Sequence, residues 1–144
     1  MPIYDNKNDE LGCKLNNSMH RILLVTLLIL TGCAAKFSQA NYERIVNVAV
    51  ASRDQDVVCA TNDSTKIYFE MMHKDTAYAL EDSAGRGDTE LVKMLTSQLD
   101  EIERFQTMFA KGPVSMFFCK QKVRNIYDTA RLIAIEEGNK LKLL

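Results

Sequence analysis

Residues 88–113 read DTELVKMLTSQLDEIERFQTMFAKGP, and this stretch decides the fold. Leu91, Met94, Leu95, Leu99, Ile102, Phe105 and Phe109 recur at steps of three and four, which places them on one stripe of an α-helix. Asp88 is placed to cap the first turn, and Glu90 lies where the helix dipole favours an anion. Gly112-Pro113 ends the helix near Lys111, because proline has no N–H to continue it. On the opposite face Asp100 and Arg104 stand four apart, placed for an ion pair.

The same period extends to both sides. Ser115 opens a helix to about Glu137 with Gly138 as its stop. Met116, Cys119, Val123, Ile126, Tyr127, Ala130, Ile133 and Ala134 line one side of it. Upstream, the glycines of AGRG (84–87) stop a helix of about Thr65 to Ala84, which Asp63 or Ser64 can cap. Its apolar positions are Ile67, Tyr68, Met71, Met72, Tyr78 and Ala79. RDQDVVCATNDS (53–64) breaks the pattern as a loop. Before it, Ser38 can cap a helix of roughly Gln39 to Ser52, whose stripe is Tyr42, Ile45, Val46 and Ala49.

Four helical segments on short connections make an all-α, small antiparallel bundle the expected fold. A chain of 144 residues has room for one such domain. We place it at residues 39–138, with 139–144 as a frayed tail. Net charge is −1, unlike the strongly basic domains that bind nucleic acid. The balance persists beyond residue 33, where fifteen Lys and Arg face sixteen Asp and Glu.

The N-terminal quarter reads differently. Ile22–Leu30, ILLVTLLIL, follows Arg21 and is too short for a bilayer core, which takes about 20 apolar residues as a helix. It has the length of a signal-peptide apolar region. Behind it stands Leu30-Thr31-Gly32-Cys33, with small residues before a nucleophilic thiol. From Arg21 to Cys33 the chain resembles bacterial lipoprotein precursors, whose lipobox reads Leu-(Ala/Ser/Thr)-(Gly/Ala)-Cys. The resemblance implies a signal peptide at 19–32, cleavage between Gly32 and Cys33, and a diacylglycerol plus an N-acyl chain on Cys33. Residues 33–38 would then be a lipidated tether. Three chains anchor durably where one holds marginally, at ~0.8 kcal/mol per buried CH₂. Ala34 and Ala35 follow the cysteine, and the absence of Asp there implies the outer membrane over the inner, facing the periplasm. Residues 1–18 are polar and fit this poorly, so Met19 is the expected start and Cys13 has no role in the mature protein.

Export places the domain in an oxidising compartment. Two thiols remain there, Cys59 and Cys119, which read most simply as one disulfide closing a 60-residue separation; two buried free thiols are the alternative.

Few residues suggest chemistry. His73, in EMMHKD, is the single histidine beyond residue 33 and reads as a surface residue. Glu101 and Glu103 read as a solvated face. The tripeptide Arg86-Gly87-Asp88 already serves as helix stop and helix cap, so we read it as a turn rather than an adhesion motif. No metal site and no cofactor beyond the acyl chains is expected. Met116, Phe117 and Phe118 exceed what one core stripe can hold, so at least one phenylalanine should point outward. They are the candidate partner-binding residues, against the reading that a small bundle packs every large side chain.

The expectation is a non-enzymatic, lipid-anchored binding protein with a protein partner in the envelope. In layout the mature chain is similar to the small helical pilotins of type II secretion: lipobox, one cysteine pair and four helices. That resemblance implies a chaperone for an outer-membrane secretion component. The alternative is an entry-exclusion, superinfection-exclusion or immunity lipoprotein of a mobile element. An envelope enzyme is the third reading and would need a reactive cluster.

Overall fold

Each long helix starts on a side chain that its own sequence supplies. Ser38 accepts from Asn41 N–H and opens α1, Gln39–Arg53. Thr61 and Ser64 form a reciprocal capping box at the start of α3, Asn62–Gly85. Asp88 accepts from Leu91 N–H and opens α4, Thr89–Ala110. Ser115 accepts from Phe118 N–H and opens α5, Met116–Asn139. The connection between α1 and α3 contains a short helix α2, Gln55–Val58, capped by Asp54. A 3-10 turn, Lys140–Leu143, follows α5.

The structure, a computed structural model, describes residues 36–143. The expected start at Met19, the leader, the cleavage site, Cys33 and most of the tether lie outside the described residues. Among the described residues there is no strand, and no helix is long and apolar enough to cross a membrane.

The four long helices pack in ring order α1, α3, α4, α5, each against the two beside it. Neighbours run antiparallel, so the protein is an all-α antiparallel bundle with two poles. One pole holds the starts of α1 and α4 and the ends of α3 and α5. The other holds α2, the end of α4 and the start of α5. Cys59 and Cys119 lie at bonding distance at this second pole, with Cα atoms 6.0 Å apart, and tie α2 to α5.

The α3–α4 connection explains how the first pole is built. Gly87 has φ +70°, and Asp88 N–H reaches Ser83 C=O while Gly87 N–H reaches Ala84 C=O. This is a Schellman stop, which needs a residue that tolerates left-handed backbone. It turns Arg86 and Asp88 toward the ends of the other helices.

There Glu137 is fully buried, with both oxygens engaged. Oε1 accepts from Ser38 N–H at 3.0 Å and from Arg86 Nη2 at 3.1 Å, and Oε2 from Lys140 Nζ at 2.6 Å. Arg86 also donates from Nε to Asp82 at 3.0 Å and from Nη1 to the Lys36 carbonyl. Lys140 also pairs with Asp88. Asn41 completes the set: with the amide oriented so that both its atoms find complementary partners, its oxygen lies 2.7 Å from Arg86 Nη2 and its nitrogen donates to Ala79 C=O at 3.1 Å.

The interior divides into two apolar clusters. Ile45, Ala79, Leu91, Leu95 and Ile133 pack beneath the ionic pole. The larger cluster, including Val48, Phe69, Met72, Phe105, Val123 and Ile126, packs toward the disulfide pole. Thr76 and Gln98 are buried at the level between them. Gln98 Nε2 reaches Ile126 C=O at 3.5 Å, and Thr76 Oγ1 has no hydrogen-bond partner.

Several expectations change. α3 starts at Asn62 under a Thr61 cap, three residues before the expected Thr65 and not on Asp63 or Ser64. Its core stripe is Thr65, Phe69, Met72, Thr76, Ala79 and Ser83, while Ile67, Met71 and Tyr78 are exposed. The three hydroxyl residues in that stripe hide it from a hydrophobicity count. The inward face of α1 also differs from the expected stripe: Asn41, Ile45, Val48, Ala49 and Ser52 face inward, and Tyr42 and Val46 are half-buried. α5 does not stop at Gly138, whose backbone stays helical with the Tyr42 ring packed across it. Lys140 continues into an ordered turn because it pairs with Glu137 one turn back. The last tether residues are held as well, through the Lys36 carbonyl and Ser38 N–H. Asp100 and Arg104 form no ion pair among the described residues.

Two substitutions test this account by chemical denaturation. Glu137→Gln should lower unfolding free energy by about 3 kcal/mol, the low end for breaking a buried pair, because Arg86 keeps Asp82 and Lys140 keeps Asp88. Thr76→Val should raise it by about 1 kcal/mol, since it removes an unsatisfied buried hydroxyl at nearly constant volume.

Candidate partner-binding surface

The disulfide pole concentrates the aromatic side chains. Phe69 and Phe105 stack with centroids 4.0 Å apart, and Phe109 and Phe118 lie 6.0 and 6.3 Å from Phe105 in near-parallel planes. Phe118 is therefore part of the core wall, with Lys122 Nζ 5.8 Å from its ring centroid. Phe117, one residue earlier, points away and is 79% exposed. Met116, expected on the core stripe, is 54% exposed instead. It precedes Lys120 by one helical turn, and Lys120 pairs with Asp56 of α2, so Met116 faces the α2 side of α5. Of the three candidate residues, two reach solvent and one packs inward.

A second apolar surface was not read from the sequence. Val50 of α1, Val57 of α2 and Met71 of α3 are each 41–58% exposed and line one groove of about 450 Å³. Ala51 and Tyr68 form more of its apolar wall, and Asn47, Asp54 and Asp75 supply its polar atoms. The signal that could have found it was Phe69. A stripe counted from Phe69 in steps of three and four passes through Met72, Thr76, Ala79 and Ser83, and turns Met71 outward.

The other residues singled out in the sequence make contacts between elements. His73 Nε2 lies 3.1 Å from Glu103 Oε1, bridging α3 and α4 at the surface. Glu101 takes Lys122 at 3.2 Å and Asn125 at 3.4 Å, so it joins α4 to α5. Arg86 and Asp88, the outer members of the adhesion-like tripeptide, are both committed to the ionic pole, with Asp88 only 5% exposed. Among the described residues no three His, Cys, Asp or Glu side chains group to hold a metal ion. What this arrangement offers chemically is apolar contact with a polar rim, the chemistry of recognition.

Fold and surface together define a disulfide-closed, antiparallel four-helix bundle with apolar side chains exposed at one pole and along one flank. No protein family, curated protein or solved structure matches the chain.

The two phenylalanine environments predict opposite outcomes. Phe117→Ser should leave stability within about 0.5 kcal/mol of wild type, as surface changes do. Phe105→Ala should cost about 3–5 kcal/mol, because the ring is fully buried in the stack. Denaturant titrations of both variants check the assignment.

Proposed function

We propose that the protein is a lipid-anchored, non-enzymatic binding protein of the bacterial envelope, held in the outer membrane through Cys33 and facing the periplasm. Its partner on this reading is a component of an outer-membrane secretion apparatus, which it chaperones in the manner of a pilotin.

The observation that carries this reading is the placement of Phe117 and Met116. They are exposed at the pole remote from Ser38, where the chain enters the bundle. Ser38 stands five positions beyond Cys33, a reach of at most about 18 Å. A tether that short keeps the ionic pole next to the lipid. α5 has 24 residues, so it spans about 36 Å and carries its first turn toward the periplasm. Apolar side chains at that end meet a protein partner rather than the membrane. The Cys59–Cys119 pair suits an oxidising compartment, where such a bond persists.

The test compares wild type with Cys33→Ala by membrane fractionation, intact mass and affinity capture. Wild type should carry acyl mass on Cys33, sediment with membranes and capture a secretion component. Cys33→Ala should lose the acyl mass and the membrane association. Phe117→Asp should keep both but lose at least about tenfold in captured partner, the equivalent of one buried apolar anchor. A native product that retains its leader and lacks acyl mass overturns the anchoring.

A further inference from the structure

We propose that the groove between α1, α2 and α3 receives a cationic amphipathic helix of a partner protein, with basic residues on both sides of its apolar stripe. This rests on the reading of the protein as a binding protein and names the chemistry of what it binds.

Three observations point to that occupant. The groove is a line of apolar contacts from three elements, Val50, Val57 and Met71, each left exposed by the bundle's own packing. Its walls run along Asn47 to Asp54 on one side and Tyr68 to Asp75 on the other, eight residues each, or about 10 Å from first to last. That is two turns of helix, enough for apolar anchors at i, i+3 or i+4, and i+7.

Charge gives the third. The two charged residues lining the groove are both acids, Asp54 on the α1 wall and Asp75 on the α3 wall. Neither forms an ion pair among the described residues. Two of the nearby cations, Arg44 and Lys74, stand over the Tyr78 ring at 5.5 and 5.9 Å. Asp54 also accepts from Val57 N–H as the cap of α2, but neither acid has a cationic partner, and an apolar floor between two such carboxylates favours a ligand with cations flanking its apolar face and disfavours one flanked by anions.

The experiment titrates the full-length protein, in a nonionic detergent, into two labelled helix-forming peptides read by fluorescence anisotropy. Both carry leucine at i, i+3 and i+7; lysines flank the stripe in one and glutamates in the other. The lysine peptide should bind saturably and at least about tenfold more tightly than the glutamate peptide. Met71→Asp and Val50→Asp should each weaken it about tenfold or more, with unfolding curves unchanged because both positions are exposed. Asp75→Lys should remove the preference between the peptides, since Asp54 then faces a lysine and the lining carries no net charge, and added salt should shrink the wild-type difference.

Equal affinity for the two peptides overturns the proposal, as does no saturable binding up to about 1 mM. A concentration-dependent oligomer by light scattering that disappears in Val50→Asp also overturns it, because the groove then belongs to a second copy. Failure of the groove and failure of the binding function are separable. If native capture is lost with Phe117→Asp but retained with Met71→Asp, the function stands and the groove does not.

Discussion

A single carboxylate, Glu137, fixes how the four helices meet. Burying it without partners would cost several kcal/mol, so it tolerates only an arrangement that supplies donors to both oxygens. The donors come from the chain entering α1, from the end of α3 and from the turn after α5. Lys140 then reaches Asp88, the cap of α4, so all four long helices contribute to one network. Apolar stripes permit a helix to slide by a turn of about 5.4 Å and still bury much of its surface. A carboxylate with fixed donors does not. The ionic pole therefore contributes register more than raw stability, since apolar replacement of a whole buried network is often no worse.

With register set at one end, the other end is closed covalently. The pair Cys59–Cys119 holds α2 against α5, and Asp56–Lys120 lies beside it. In the chain-entropy account a loop of this length limits the unfolded chain by about 4 kcal/mol. Thr65 sits under the same corner, its hydroxyl 3.0 Å from both the Val58 and the Thr61 carbonyl. These contacts hold Val57 in place on α2 while leaving its side chain outside.

The legibility of the sequence tracks how purely each helix face is apolar. The bounds of α4 were readable, because Asp88, the Leu91–Phe105 stripe and Gly112-Pro113 all speak for the same element, although Gln98 takes the buried position expected of Leu99. The cysteine pair and the outward turn of a phenylalanine after Met116 were readable too. α3 was readable as a helix but not as a face, since Thr65, Thr76 and Ser83 occupy its core positions. Thr65 and Ser83 satisfy their hydroxyls on nearby carbonyls, Ser83 on Ala79 at 2.8 Å, whereas Thr76 finds no partner. Gly138 misled for a different reason. A glycine stops a helix only when the chain needs left-handed backbone there, and the pairing of Glu137 with Lys140 needs the helix to go on. The ionic pole was invisible because its members lie 36 to 140 in sequence and share no motif.

Exposed apolar side chains are ordinary on small proteins, so exposure alone does not mark a binding surface. Leu132, Ile135 and Leu141 are each more than half exposed, yet Leu132 and Ile135 lie beside Arg131, Asp128 and Glu136, and Leu141 stands between two lysines. Val50, Val57 and Met71 differ because three separate elements bring them to one concave line. The bundle had an alternative for each of them. α3 buries Met72 in its core and presents Met71 outward, and α2 buries Val58 completely while presenting Val57. In both adjacent pairs the interior position is already filled by a side chain of similar size and chemistry. The outer member therefore adds nothing to the core, and the cost of leaving it wet is recovered only when another apolar surface covers it.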